Sequence, residues 1–191
     1  MPTHASTPTI TGSRVYLRPP RRGDAAAFVA ASLRSRREHG GWTSAPATRE
    51  RFVAFVDRFA AGTALPTHAS FLMLARDDDA IAGVFNFSEI VRGAFRSTYL
   101  GYYGFSPYIG HGFMREGMAL ALDVAFRQLQ LHRVEVNIQP ANVRSVALAE
   151  RTGFTQEGFS RRYVKIGGRW RDHLRFAMLA EDWRALRKRR E

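Results

Sequence analysis

Tyr108-Ile109-Gly110-His111-Gly112-Phe113-Met114 lies between a segment patterned as a strand and the longest segment patterned as a helix. Two glycines let the backbone approach a ligand closely, and the free N–H groups of the helix's first turn favour an anion. A pyrophosphate suits such a turn; a plain tight turn is the other reading the spacing leaves open. Asn142-Val143-Arg144-Ser145 is the second segment of interest. Asn142 is a good N-cap, and Ser145 either supports that cap or presents a hydroxyl to a ligand from the first helical turn. His4, His39, His68, His111, His132 and His173 show no metal-ligand spacing, so no metal is predicted. The chain has no cysteine, which excludes disulfides, thiolate zinc clusters and cysteine nucleophiles and fits a reducing cytoplasm.

The elements that position these segments follow from periodicity. Arg14 to Arg18 alternates like a strand, and Pro19-Pro20 stops it. Asp24 is placed to N-cap a helix running to about Arg37, and a second helix is predicted over 48–61 with Phe52, Phe55, Val56 and Phe59 on one face. Phe71 to Ala75 is uniformly apolar, as a strand buried on both faces requires. Strands over 81–88 and 99–105 follow, then the long helix over 112–130 with Met114, Met118, Ala121, Leu122, Ala125, Phe126 and Leu129 in one stripe. Val134, Val136 and Ile138 alternate with Glu135, Asn137 and Gln139, a strand with unlike faces. A helix over 142–152 closes on Gly153, and a hairpin with strands over 163–166 and 169–179 turns at Gly167-Gly168. Tyr163, Trp170 and Phe176 could form a base-stacking surface, but hairpin alternation favours core or sheet packing, and a basic helix ends the chain. Adjacent strands in the middle require antiparallel pairing, so the fold class is α/β (α+β), a mixed, mostly antiparallel central sheet flanked by helices.

A length of 191 residues suits one domain, expected over 12–183 between a flexible arm (1–11) and a basic tail (184–191). No apolar run approaches a membrane span, so no membrane partner is predicted. The net charge of +12 draws polyanions, whether nucleic acid, ribosome, membrane surface or a multiply phosphorylated cofactor, or else reflects arginine on a solvated surface.

Strand, glycine turn, long helix, strand, then Asn-x-x-Ser opening a helix that ends in Gly153-Phe154 resembles the core order of the GNAT acetyltransferases. Gly83-Val84-Phe85-Asn86-Phe87-Ser88, Val91-Arg92-Gly93-Ala94-Phe95 and Tyr99-Leu100-Gly101-Tyr102 are similar to the branch of RimJ and RimL, which acetylates ribosomal-protein N-termini. So are Gly158 to Tyr163 and Gly168 to His173, and the resemblance covers residues 12 to 183.

The resemblance implies acetyl-CoA as cosubstrate, with its pyrophosphate cradled by Gly110, His111, Gly112, Phe113 and Met114. It implies that Asn142 and Ser145 reach the pantetheine arm and the thiol, and that backbone N–H groups near Tyr103 to Phe105 polarise the thioester carbonyl. Ser145 then protonates the departing thiolate. Ile109 stands where the family loop usually begins with Gln or Arg, and Met114 stands at its end; a backbone cradle tolerates both. Tyr99 stands about where the family often carries a carboxylate, which leaves Glu89, just past the preceding strand, as the candidate base. An α-amine, with a reference pKa of about 7.7–8.0 against about 10.4 for lysine, tolerates a weak base. The implied acceptor is therefore a ribosomal-protein N-terminus, most simply alanine, in the cytoplasm. The rival readings are a small-molecule amine as acceptor, which the positive charge opposes, and a non-catalytic ribosome- or RNA-binding factor on the same fold.

Overall fold

The computed structural model describes residues 9–60 and 66–189. Strands β1 (Ile10–Thr11) and β2 (Val15–Arg18) precede helices α1 (Ala25–Arg34), α2 (Arg36–His39) and α3 (Arg49–Ala60). Strands β3 (Ala69–Ala75), β4 (Ile81–Val91) and β5 (Ser97–Gly104) come next, followed by helix α4 (Phe113–Asp123). Strand β6 (Arg133–Ile138), helix α5 (Val143–Thr152), strands β7 (Thr155–Ile166) and β8 (Arg169–Leu179), and helix α6 (Ala180–Lys188) complete the chain. The strands form one sheet in the order β1-β2-β3-β4-β5-β6-β8-β7. Every pairing is antiparallel except that of β5 with β6. Residues 1–8 of the expected arm lie outside the described residues, while Ile10 and Thr11 pair with Leu17 and Tyr16. Of the expected tail, the part up to Lys188 is the second half of α6.

Strand alternation sorts the side chains of the central strands onto two faces. Phe71, Met73, Phe85 and Phe87 meet Met118, Ala121 and Leu122 of α4 on one face. Leu72, Leu74 and Val84 meet Phe28 and Phe52 of α1 and α3 on the other. That double burial explains the uniformly apolar run of β3. Helix α4 lies very close to the sheet because Gly117 faces it: a Cβ there would stand 2.4 Å from Met73 Sδ and 2.8 Å from Phe85.

Several local expectations change. Asp24 makes no side-chain cap. Its carboxylate is taken by the Arg18 fork at 2.7 and 2.8 Å and by the Arg21 N–H at 2.7 Å, stronger partners than the helix end offers. The first helix stops at Arg34 and restarts as α2, with the Ser35 hydroxyl turned back onto the Ala31 carbonyl. Helix α4 stops at Asp123 and loosens into one π-type turn, Val124–Gln128, which keeps Val124, Ala125 and Phe126 buried. Phe105 lies one residue beyond β5 and is fully buried. Strand β7 begins at Thr155, well before Tyr163, and its hairpin turns through Gly167 (φ 57°) and Gly168 (φ 78°), as a two-residue turn requires. Phe176 is buried, but Trp170 is 60% exposed, so it is not core packing.

Candidate active site

The two parallel strands part. Strand β5 pairs with β6 only at Ser97, Thr98 and Tyr99, against Arg133, Val134 and Glu135. Beyond that rung β5 runs on to Gly104 and β6 to Ile138 without pairing to each other, and a cleft of about 1180 Å³ opens between and around them. Residues from Leu100 to Gly104 form one wall, and Val136 to Gln139 with the first turn of α5 form the other. Asn137 Oδ1 is fully buried beside that wall and has no hydrogen-bond partner among the described residues.

At one end of the cleft the glycine turn meets the start of α4. Gly110 (φ 89°) and Gly112 (φ 81°) are left-handed, and both line the cleft with Met114 and Arg115. Gly112 is the N-cap and supplies no side-chain cap, so the first-turn N–H groups face outward. His111 and Phe113 do not line the cleft, and the Phe113 ring packs instead on Tyr108 and under Arg14. The turn is tied down by Arg14, the residue just before β2. Arg14 donates to the His111 carbonyl at 3.0 Å, sits 4.9 Å over the Phe113 ring and pairs with Glu116 at 3.2 Å. Glu116 also accepts the Arg14 N–H at 2.7 Å. Burial pushes the Glu116 carboxyl up, but the Arg14 and Val15 N–H groups and the Arg14 guanidinium outweigh it and hold it below the usual range.

Midway along the cleft, α5 begins. The Asn142 side chain accepts the Ser145 N–H at 3.3 Å, so it does cap the helix, and Gly153 closes it at φ 94°. Ser145 is not confined to that cap. Its hydroxyl donates to the Tyr102 hydroxyl at 2.8 Å, and Tyr102 donates to the Ser145 carbonyl at 3.2 Å. Burial pushes the Tyr102 phenol up to about 12 against the lowering effect of Ser145, so Tyr102 remains a proton donor at neutral pH. Neither the strand pattern nor the motif around Tyr102 carries a signal that it meets Ser145.

The far end of the cleft is lined by Ser88, Tyr99, Glu135, Tyr163 and His173. Tyr99 beside it, burial and the Glu135 charge hold the Tyr163 phenol at about 12. Glu89 is not brought to this end. It sits in a β-bulge at φ 50°, its side chain is 68% exposed, and it lies 3.7 Å from His68, outside the cleft lining. Phe105 is also outside, and its N–H is already bonded to the Ala82 carbonyl at 2.8 Å, so it is not free to polarise a ligand carbonyl. Tyr103 does line the cleft, with His39 packed edge-on to its ring at 5.4 Å. Glu38, His39 and Trp42 close the wall from the α2 side, a contribution the loop sequence did not reveal. Among the described residues, no group of three or more histidine or acidic side chains is placed to hold a metal ion. Among those residues, likewise, no helix is long and apolar enough to cross a membrane.

A mixed sheet whose parallel neighbours part beside a glycine-rich helix start defines an acetyltransferase class. The chain belongs to it: the acetyltransferase (GNAT) domain family matches residues 14–155. More particularly, the chain is similar to the [Ribosomal protein uS5]-alanine N-acetyltransferase of Escherichia coli, 41% identical over 107 residues, which cover 56% of this chain and 55% of that protein. The probable N-acetyltransferase YjcK of Bacillus subtilis is 38% identical over 112 residues, 59% of this chain and 62% of that one. The matched stretches thus span little more than half the length of these curated relatives. Among solved structures, Mycobacterium smegmatis RimJ in complex with CoA-disulfide superimposes with a TM-score of 0.85 at 28% identity, covering 95% of this chain and 94% of that one.

Proposed function

We propose that this chain transfers an acetyl group from acetyl-CoA to the N-terminal α-amine, most simply alanine, of a ribosomal protein in the cytoplasm. The observation that carries the reading is the parting of β5 from β6 with the Ser145–Tyr102 hydroxyl pair in the gap. The residues fit the cosubstrate. An uncapped helix start behind two left-handed glycines suits a pyrophosphate, and Arg115, Arg144 and Arg151 bring positive charge to the same cleft. Unpaired strand walls suit an extended arm bearing amide groups. Acetyl-CoA, when bound, supplies an activated thioester.

The residues of the cleft do the rest. Backbone N–H groups of the β5 wall short of Phe105 polarise the carbonyl. Ser145 and Tyr102 return a proton to the departing sulfur, a modest task because a thiol has a pKa of about 8.5. The kind of acceptor is supported by the name borne by the Escherichia coli relative and by the pKa of an α-amine. Ribosome association is supported by the exposed Arg161, Arg162, Lys165, Arg169 and Arg171 on the β7–β8 hairpin, beside the cleft-lining Tyr163 and Val164. Mass spectrometry of ribosomal-protein N-termini from cells with and without the gene tests the reading. An acetylated terminus present only with the gene is expected, and identical spectra would overturn it. Binding to ribosomes should weaken steeply with salt, since phosphate contacts release counterions; co-sedimentation absent at low salt would refute that part.

A further inference from the structure

We infer that Glu135 is the group that receives the acceptor's ammonium and takes its proton. The assignment rests on the acetyl-transfer reading above and concerns the end of the cleft where that reading puts no named base. Glu135 stands opposite Tyr99 on the last paired rung before β5 and β6 separate, at the apex of the gap. Val134, Val136 and Ile138 point into the core under α4 and α5, so strand alternation turns Glu135 to the other face of the sheet, with Tyr99. Its side chain is 15% exposed and lines the cleft. The carboxylate missing from β5 is thus supplied by the neighbouring strand at the same level.

The surrounding groups fix that carboxylate without consuming it. Arg133 Nε donates to Glu135 Oε1 at 2.8 Å, and the two terminal nitrogens of Arg133 are held by both oxygens of Glu157. Arg133 is therefore clamped from β7, and it orients Glu135 through one oxygen. Among the described residues Oε2 has no hydrogen-bond partner. Tyr99, paired with Glu135 on β5, and Tyr163 on β7 flank the same carboxylate, and the Arg175 charge on β8 also reaches Tyr163. An ammonium entering here meets an anion at Oε2 and hydroxyl acceptors beside it. Glu38 is the other cleft-lining carboxylate; one of its oxygens is held by Ser106 at 2.9 Å and the other is fully buried without a partner among the described residues, and it lies near Arg144, on the wall proposed for the cosubstrate.

In the transfer, one proton of the ammonium passes to Glu135 and on to solvent. The neutral nitrogen forms its bond to the carbonyl carbon and the C–S bond breaks, its electron pair leaving on sulfur. That sulfur takes a proton from the Ser145–Tyr102 pair, which solvent replaces, and the new amide nitrogen loses its second proton to solvent. One proton is released overall.

The test uses the full chain saturated with CoA and two peptides of one sequence, one beginning with free alanine and one with that alanine acetylated. Calorimetry should show the free-amine peptide bound about tenfold more tightly, as a charge-assisted contact predicts. Glu135→Gln keeps the shape and the Arg133 contact; it should bind both peptides alike and lower kcat/KM by about 100-fold. A Glu135→Gln variant that retains both the preference and the rate overturns the assignment, as does a preference lost in Glu38→Gln instead. Spermidine is the second acceptor. Transfer to spermidine alone, lost in Glu135→Gln, sustains Glu135 and overturns the α-amine reading, whereas transfer to neither overturns both.

Discussion

The Ser145–Tyr102 pair makes a prediction that separates one proton path from two independent contacts. Removing the Ser145 hydroxyl leaves Tyr102 with only the 3.2 Å contact to the Ser145 carbonyl, and removing the Tyr102 hydroxyl leaves Ser145 without its 2.8 Å partner. If the two hydroxyls serve one leaving sulfur, Ser145→Ala and Tyr102→Phe should each lower kcat by about 10- to 100-fold, equivalent to about 1.4–2.7 kcal/mol of barrier. The double variant should then be no slower than the slower single variant by more than about threefold, since the path can be broken only once. Folding should tolerate all three, because each hydroxyl lines the cleft and a lost hydrogen bond of this kind costs about 1 kcal/mol. Steady-state rates with acetyl-CoA and an alanine-initiated peptide give the numbers, and isothermal titration with CoA checks that affinity is unchanged. Multiplicative losses, with the double variant slower by the product of the two singles, would refute a shared path. An unaltered kcat in Ser145→Ala would reduce that residue to its place in the helix cap.

Three further predictions concern the frame around the site. Gly112→Ala should weaken acetyl-CoA binding by about tenfold in calorimetry, because φ 81° strains any side chain by about 1–3 kcal/mol and the new Cβ would stand 3.2 Å from Arg14; unchanged affinity would remove the cradle from that residue. Gly117→Leu should lower the thermal midpoint markedly, with overpacking worth at least about 1–3 kcal/mol, since even its Cβ meets Met73 and Phe85 well inside contact distance; a wild-type melting curve would contradict the close approach of α4. Burial pushes the Asp24 carboxyl up, but Arg18 and the Arg21 N–H outweigh it and hold it low in the folded state. Its stabilising contribution is therefore present above the unfolded value of about 3.9 and lost as pH falls through the depressed folded value. Asp24→Asn should accordingly be less stable at pH 7 and lose less on acidification than the parent, as read by denaturant midpoints across that range.

Much of the frame could be read from residue order because it depends on local rules. Gly167-Gly168 signals a turn needing positive φ, Asn142 signals a helix start, and the β6 alternation signals which residues enter the core. What periodicity cannot carry is where neighbouring strands stop pairing. Nothing in Tyr99 or Glu135 announces that theirs is the last rung, so Glu135 read as one polar face residue among three. Glu89 looked well placed because it follows a strand directly, but the bulge between Ser88 and Val91 carries it to the surface. Asp24 had a good capping position and a better partner in Arg18, six residues away in sequence. The π-type turn after Asp123 keeps the apolar stripe facing the core while changing its phase, which a helical period reads as unbroken.

The central claim is acetylation of a protein α-amine, and the most direct measurement of it uses two synthetic peptides sharing one interior lysine. One begins with free alanine and the other has that amine blocked. After incubation with the protein and acetyl-CoA, fragmentation mass spectrometry locates any added acetyl group. The account predicts a single acetyl group on the alanine nitrogen of the first peptide and none on the second. Equal labelling of both peptides at the lysine would contradict it.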